Sequence, residues 1–177
     1  MKLEGENHQN QNSISKRQNN SLILELSLMY FKPSNYVESL LEVNFELLKN
    51  QGTKLIICDL DNTLVPHFTK IPTNYAKTVI QKIKEQKIEI IIVSNNARKR
   101  VSRFAKLLEV EYLYNSKKPF IKKIRKKIEE SGYKAEDTLM IGDMIIMDIL
   151  AANKLKIDSL LVKPILSYNE GTSKRMN

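Results

Sequence analysis

The amino-acid sequence predicts an α/β fold: a doubly wound (Rossmann-like) parallel sheet of about five strands with flanking helices. From residue 54 onward, short apolar runs alternate with amphipathic stretches at the spacing of βαβ units. The run Leu55, Ile56 and Ile57 is continuously apolar, as in a strand that is covered on both faces. Polar residues follow several of these runs, and ligand sites in open α/β sheets lie at such strand ends.

The elements can be placed one by one. Strands are predicted at residues 54–58, 88–93, 111–114, 138–141 and 159–162, and helices at about 73–87, 97–108, 119–131 and 144–153. Upstream, apolar residues at helical spacing predict a helix over about 34–49, with Ser34 or Asn35 as its cap and Gly52 beyond its end. The residues on its apolar face are Val37, Leu40, Leu41, Phe45 and Leu48.

A chain of 177 residues accommodates one ordinary domain, which we place at residues 21–166. Residues 1–20 are rich in Asn and Gln and poor in large apolar groups, so they are predicted to form a disordered polar tail. Residues 167–177 are predicted to fray. The chain shows neither the apolar run of a membrane span nor a secretory signal. We therefore expect a cytoplasmic protein, with peripheral contact at the inner face of the membrane left open.

The formal net charge of +9 favours a polyanionic partner or a phosphorylated substrate. Two basic clusters, within residues 98–106 and 117–127, contribute to it. The alternative is compositional, since the chain is rich in Lys, Asn and Ile together and lysine can simply fill solvated positions. The single Cys58 excludes an internal disulfide and a multi-cysteine zinc site.

Chemistry is most clearly indicated at the end of the first buried strand, where Asp59 and Asp61 lie two residues apart and Thr63 follows. Carboxylates held that close repel each other unless a cation lies between them or one carries a proton. The pair therefore suggests a divalent metal, an acid and base assignment, or both. The alternative is a loop in which both aspartates only form turns and caps.

Further polar residues follow the later predicted strands. Ser94 and Asn95 follow the strand at 88–93, Lys118 follows the strand at 111–114, and Gly142-Asp143 follows the strand at 138–141, with Asp148 five residues on. Each alone is ordinary, as a helix cap, a solvated lysine or a turn. A parallel sheet, however, would gather them beside Asp59, which favours a shared site.

These residues resemble the motifs of the haloacid dehalogenase (HAD) superfamily of phosphohydrolases. The sequence from Asp59 to Thr63 is similar to its DxDxT motif, Ser94 to its hydroxyl motif, Lys118 to its lysine motif, and Gly142 to Asp148 to its GDxxxxD motif. More narrowly, residues 36–164 resemble the YqeG-type phosphatases of subfamily IIIA. That group is related to the mitochondrial phosphatidylglycerophosphate phosphatase.

The resemblance implies a phosphomonoester hydrolase that works through an aspartyl-phosphate on Asp59, with Asp61 as general acid and base and Lys118 as a further catalytic residue. It implies Mg²⁺ as cofactor, held by the Asp59 and Asp143 side chains and by Asp61 through its main-chain carbonyl. The substrate phosphate would contact Thr63, Ser94, Asn95 and Lys118, with Thr63 also orienting Asp61 or the turn after it. Asp148 would anchor Lys118 or the waters on the metal.

Only about 30 residues separate Thr63 from Ser94, which leaves room for one crossover helix and no large cap domain. An open site favours a bulky substrate, and we expect phosphatidylglycerophosphate in phospholipid synthesis, bound at a membrane. A phosphatase for a nucleic-acid end, a nucleotide or a sugar phosphate remains an alternative, although nucleic acid is less favoured. A non-catalytic protein of the same fold that binds a partner through its basic faces is the alternative of another class.

Overall fold

The computed structural model describes residue 25 and residues 28–165, so both predicted tails lie outside the described residues. The chain divides into two compact units, Met1–Lys32 and Pro33–Asn177. The described part of the first unit includes a turn in which the Phe31 N–H donates to the Leu28 carbonyl at 3.0 Å. Within the described ranges, no helix is both long and apolar enough to cross a membrane.

The second unit is built on a six-stranded parallel sheet with the order β1-β6-β5-β2-β3-β4. This sheet confirms the predicted α/β fold and adds one strand at its edge. The strands are β1 (Asn35–Val37), β2 (Leu55–Cys58), β3 (Glu89–Val93), β4 (Glu111–Leu113), β5 (Thr138–Gly142) and β6 (Asp158–Val162).

Five α-helices of the described chain connect or precede these strands. They are α1 (Phe45–Asn50), α2 (Asn74–Glu85), α3 (Arg98–Leu108), α4 (Lys122–Glu130) and α5 (Leu150–Leu155). Short 3₁₀ turns lie at Leu40–Glu42 and Ala135–Asp137, and a π-helical turn at Ile145–Ile149 leads into α5. The helix predicted over 144–153 is therefore a π turn followed by a short α-helix.

Helices cover both faces of the sheet. On β2, Ile56 and Cys58 belong to one apolar cluster with Val79 of α2 and Phe104 of α3. The alternate residues Leu55 and Ile57 belong to a second cluster, with Ile124 of α4 and Ala151 of α5. Because successive side chains of a strand point to opposite faces, a strand buried on both sides must be apolar at every position. This packing explains the continuous apolar run in the sequence.

The helix predicted over 34–49 is wrong, because β1, a 3₁₀ turn and the six-residue α1 occupy that stretch. Apolar residues do recur there at helical spacing, but two capping side chains interrupt the helix. Ser39 accepts a hydrogen bond from the Leu41 N–H, and Asn44 accepts one from the Leu47 N–H. Such local bonds compete with a continuous helix. Pairing of Tyr36 and Val37 with the free edge of β6 then draws the start of the segment into the sheet.

The chain reverses direction across the sheet at β2. From β2 it continues to β3 and β4 on one side, and it then returns to β5 and β6 on the other. The carboxyl ends of β2 and β5 therefore flank the topological switch point, where open α/β sheets bind their ligands. Residues 59–73 join β2 to α2, and the described residues contain no domain inserted there.

Candidate active site

A cavity of about 290 Å³ lies at the carboxyl ends of β2, β3 and β5. Strand register brings its walls together, since Cys58 pairs with Ile92 on one side and with Ile141 on the other. The residues that follow these three positions therefore meet at one edge. Every site residue predicted from the sequence except Thr63 lines the cavity: Asp59, Asp61, Ser94, Asn95, Lys118, Asp143 and Asp148.

Lys118 bonds to residues from three separate segments around this cavity. Its Nζ lies 2.5 Å from Asp59 Oδ1, 2.7 Å from Asp148 Oδ1 and 3.0 Å from the Val93 carbonyl oxygen. Three acceptors match the three donors of an ammonium group. All three charged side chains are buried, so this cation compensates two carboxylates that water reaches poorly.

Burial sets the protonation of the cluster. It raises the pKa of Asp59 to about 7, an effect that Lys118 opposes and that Asp148 and Asp143 reinforce. Burial by itself would lower the pKa of Lys118, but Asp59 and Asp148 outweigh it and raise that pKa above the ordinary lysine value. The ammonium therefore remains charged. Because this one cation is shared by two carboxylates, it offsets only part of the effect of burial on the pKa of Asp59.

Asn95 holds the main chain of Lys118 in place. Its Oδ1 accepts hydrogen bonds from the Lys118 N–H and from Ser116 Oγ, both at 2.7 Å, and its Nδ2 donates to the Lys118 carbonyl at 3.0 Å. The side chain expected to bind phosphate is thus engaged in fixing the lysine loop. Sequence reasoning did not find this use of Asn95, because the two segments are joined only by the fold.

Asp148 is held by the π-helical turn. Its Oδ2 accepts a hydrogen bond from the Met144 N–H at 3.1 Å, and its other oxygen faces Lys118. Gly142 lies directly against this carboxyl group, and a Cβ at that position would overlap Asp148 Cγ. Glycine is therefore required here by a close approach, which explains why Gly precedes Asp143.

Asp143 is only half-buried and is supported from behind by Thr63. Thr63 Oγ1 donates to Asp143 Oδ1 at 3.0 Å. Burial raises the pKa of Asp143, and the Thr63 hydrogen bond opposes that rise. Thr63 is fully buried and does not line the cavity, so the structure places it beside Asp143 rather than in the phosphate-binding position expected from the sequence.

Both oxygens of Asp61 are engaged. Oδ1 accepts bonds from Arg100 Nε at 2.8 Å and from Arg100 Nη2 at 2.5 Å. Oδ2 accepts from Asn96 Nδ2 at 2.8 Å and from Ser94 Oγ at 3.4 Å. Arg100 belongs to the basic cluster within residues 98–106, and the sequence interpretation did not identify its contact with Asp61. The available signal was its spacing of four residues from the buried Phe104, at the border of the apolar face of α3.

The oxygens at this site suit a hard cation. Within residues 28–165, no N–H or hydroxyl donates to Asp59 Oδ2 or to the Asp61 carbonyl oxygen, although Lys118 bonds to Asp59 Oδ1. The Asp143 carboxyl group accepts a bond from Thr63 on Oδ1 and is half-exposed at the cavity. In the same part of the chain, no three His, Cys, Asp or Glu side chains form a metal group by themselves. A cation here would therefore share its remaining positions among main-chain, water and substrate oxygens, as Mg²⁺ commonly does.

Apolar side chains border the cavity. Met144 and Met147 line it, and Ile145 and Ile146 are 42% and 55% exposed. Phe120, two residues after Lys118, is 72% exposed. We define these five residues as the apolar rim. Ile145 and Ile146 are exposed in the same turn as the two methionines, and exposed apolar side chains beside a ligand cavity are candidates for contact with an apolar partner.

Basic side chains accompany the apolar rim. Helices α3 and α4 begin at the carboxyl edge of the sheet, and their first turns and the preceding loop carry exposed cations. Lys123 is partly fixed through a 2.8 Å bond to the Asn115 carbonyl, and the Arg98 guanidinium lies 5.9 Å from the Tyr114 ring centroid. The exposed cations of this group are Arg98, Lys99, Lys117, Lys122 and Lys123.

The sequence matches the family described as haloacid dehalogenase-like hydrolase over residues 67–162. The chain is also similar to a protein of Bacillus subtilis (strain 168) named "Probable phosphatase YqeG". The two are 33% identical over 148 residues, which cover 84% of this chain and 86% of that protein.

Several solved structures share the fold, including proteins from Listeria and Xanthomonas. An uncharacterized protein from Listeria monocytogenes serotype 4b matches with a TM-score of 0.54 and 18% identity, over 66% of this chain and 84% of that one. A hypothetical protein from Xanthomonas campestris matches with a TM-score of 0.52 and 14% identity, over 70% of this chain and 72% of that one. At these identities the similarity concerns the fold alone.

Proposed function

The chain belongs to the haloacid dehalogenase-like hydrolase family, and from that premise we propose that this phosphatase hydrolyses phosphate monoesters through an aspartyl-phosphate on Asp59. The observation that carries the proposal is the contact of Lys118 with Asp59 at the end of the central strand. A phosphate ester is anionic and repels a carboxylate nucleophile, so attack requires a fixed positive charge beside it. Lys118 supplies one that is buried and fully bonded.

Asp59 is the proposed nucleophile. Lys118 bonds to Oδ1, and Oδ2 has no donor among the described residues, which leaves an oxygen that can approach phosphorus. In the first step the bond from Asp59 to phosphorus forms and the bond from phosphorus to the leaving oxygen breaks. In the second, a water oxygen attacks phosphorus, inorganic phosphate leaves, and the Asp59 carboxylate is restored.

Asp61 is the proposed general acid and base. It would donate a proton to the leaving oxygen in the first step and accept one from the attacking water in the second. It lies two residues beyond Asp59 and lines the same cavity. Ser94 and the backbone around it would bind the oxygens of the phosphate, while Asn95 keeps Lys118 in position.

We propose Mg²⁺ as the cofactor. Asp59 and Asp143 would hold it through their carboxylates and Asp61 through its main-chain carbonyl, and both carboxylates line the cavity. When bound, the metal would offset negative charge on the phosphate. Thr63 supports the bound form by fixing one oxygen of Asp143.

The test is phosphate release from a panel of soluble esters with Mg²⁺ present. We expect turnover by the wild type, loss to background for Asp59→Asn, and loss on addition of a chelator with recovery on added Mg²⁺. Asp137→Asn is the matched control, since Asp137 lies at the opposite edge of the sheet and should leave activity unchanged. Equal activity of wild type and Asp59→Asn would exclude the proposed mechanism.

We propose that the substrate is phosphatidylglycerophosphate presented at a membrane. The proposal follows the resemblance of the chain to the YqeG-type phosphatases of subfamily IIIA, a group related to phosphatidylglycerophosphate phosphatases. The apolar rim and its basic neighbours support this choice, because an apolar surface flanked by cations suits an anionic lipid interface. A soluble sugar phosphate or nucleotide would not account for the apolar rim. Inactivity on phosphatidylglycerophosphate in mixed micelles, with activity on soluble esters retained, would exclude the lipid assignment.

A further inference from the structure

We propose that Arg100 is the positioning residue of Asp61, and that it couples the loop at residues 66–69 to the orientation of that carboxylate. The inference rests on the proposed function, since it gives a partner to the proposed general acid and base. It concerns a residue that lies outside the four motif positions and that does not line the cavity.

The contact between the two side chains is bidentate on the arginine. Nε and Nη2 of Arg100 both donate to Asp61 Oδ1, at 2.8 and 2.5 Å. Asn96 then fixes Oδ2 at 2.8 Å, so the plane of the carboxyl group is held from both ends. An aspartate side chain that projects into an open cavity would otherwise exchange between rotamers.

The guanidinium itself is fixed by packing. Its Cζ lies 4.9 Å from the ring centroid of Phe104, one turn further along α3. Phe104 is buried in the core, and the Arg100 side chain is only 21% exposed. A planar guanidinium stacked on a rigid ring loses less entropy on bonding than a free lysine ammonium would. Arg100 is therefore a fixed reference for Asp61.

The same guanidinium bonds to the loop. Nη1 donates to the Thr69 carbonyl oxygen at 2.6 Å, and Nη2 lies 3.5 Å from the Pro66 carbonyl oxygen. Thr69 Oγ1 also donates to the Pro66 carbonyl at 2.8 Å, which closes the loop on itself. Because Asp61 and the loop share one cation, displacement of the loop changes the support of the carboxylate.

Proton transfer explains why such support matters. The acid must be within hydrogen-bond reach of the leaving oxygen while the bond to Asp59 forms. A misplacement of about 1 Å lowers a rate by about 100-fold. Asn62, the next residue, has a φ of 62°, so the backbone turns in the left-handed region directly after Asp61. Arg100 supplies that support from α3.

The experiment compares Arg100→Met with Arg103→Met, an exposed arginine on the same helix, using p-nitrophenyl phosphate and an alkyl phosphate. We expect Arg100→Met to lower kcat on the alkyl phosphate by about 100-fold with little change in KM. The loss should be smaller on p-nitrophenyl phosphate, whose leaving group departs without a proton. Arg103→Met should match the wild type on both, and Arg100→Lys should recover part of the loss.

A double-mutant cycle separates positioning from general damage to the fold. In the Asp61→Asn background, Arg100→Met should cause no further loss, because its effect acts through that carboxylate. Equal losses on both esters, or losses that add to those of Asp61→Asn, would overturn the proposal while leaving the proposed function standing. Full activity of Asp59→Asn would instead show that the proposed function has failed.

Hydrogen exchange tests the coupling without any substrate. Arg100→Met should speed exchange of the amides at residues 67–70, and Arg103→Met should not. Unchanged exchange in Arg100→Met would overturn the link to the loop, even for a protein that proved inactive on both esters.

Discussion

Asp148 packs its carboxyl group against the Cα of Gly142, in the space that a Cβ atom would occupy. The same carboxyl group bonds to Lys118, which bonds to Asp59. A glycine at the end of β5 is therefore connected to the proposed nucleophile on β2 through two buried side chains.

Gly142→Ala should displace Asp148 and thereby loosen Lys118. We expect a loss of about 1 to 3 kcal/mol in the free energy of unfolding, as for other overpacked interiors, together with loss of activity. Gly132→Ala is the control. It meets open space at a φ of 76°, so it should cost about 1 kcal/mol of strain and leave activity unchanged. Chemical denaturation and phosphate release measure the two effects. Normal activity in Gly142→Ala would contradict this account.

Lys118→Met should leave two buried carboxylates without their cation. Removing one partner of a buried ion pair typically costs about 3 to 5 kcal/mol, and we expect a loss of that order in unfolding free energy. In the double variant with Asp148→Asn, stability should recover in part while activity stays absent, since Asp59 still lacks its neighbour. A single variant as stable as the wild type would show that the cation does not compensate these carboxylates.

Asn95→Ala should reduce activity more than stability. It removes three hydrogen bonds that fix the Lys118 and Ser116 segment, yet Asn95 is itself exposed and fills no core space. Asn74→Ala, at the exposed start of α2, is a matched loss of an asparagine away from the site. Thermal unfolding and kcat together test this prediction. Equal kcat values for the two variants would contradict the role of Asn95 in fixing the Lys118 segment.

The Lys54 and Asp137 pair should make stability depend on pH. A hydrogen bond from Lys54 lowers the pKa of Asp137. A carboxyl group whose pKa is lower in the folded state stabilises the fold above its unfolded pKa, and this contribution disappears as pH falls through the folded pKa. Lys54→Gln should therefore unfold at a lower temperature than the wild type near neutral pH, and the difference should vanish in acid. No such difference should arise in an Asp137→Asn background.

The apolar rim should mediate binding to anionic vesicles. Ile145→Asn and Ile146→Asn should weaken binding to vesicles that contain phosphatidylglycerol, with soluble-ester turnover retained. Leu107→Asn is the control, because Leu107 is similarly exposed, at 54%, but lies at the other end of α3. Cosedimentation measures the binding. Equal binding by all three variants would show that the apolar rim does not contribute to vesicle binding.

The alternation of apolar runs was sufficient to predict the parallel sheet, because each central strand is buried on both faces whatever the exact packing. The same logic failed at residues 34–49. There, the apolar residues recur at helical spacing, but Ser39 and Asn44 cap shorter turns and residues 35–37 pair with the edge of β6. The position of that edge depends on the fold and cannot be predicted from the local sequence.

The sequence by itself determined the sheet and the positions of Asp59, Asp61, Lys118 and Asp143 after predicted strands. Burial follows from the continuous apolar runs, and the parallel direction follows from the alternation of strands with helices. Only the tertiary structure decided how side chains from separate segments pair. Asn95 contacts Lys118, Thr63 contacts Asp143, and Arg100 contacts Asp61. These pairings depend on distances of a few ångströms between elements far apart in the chain, which no local periodicity encodes.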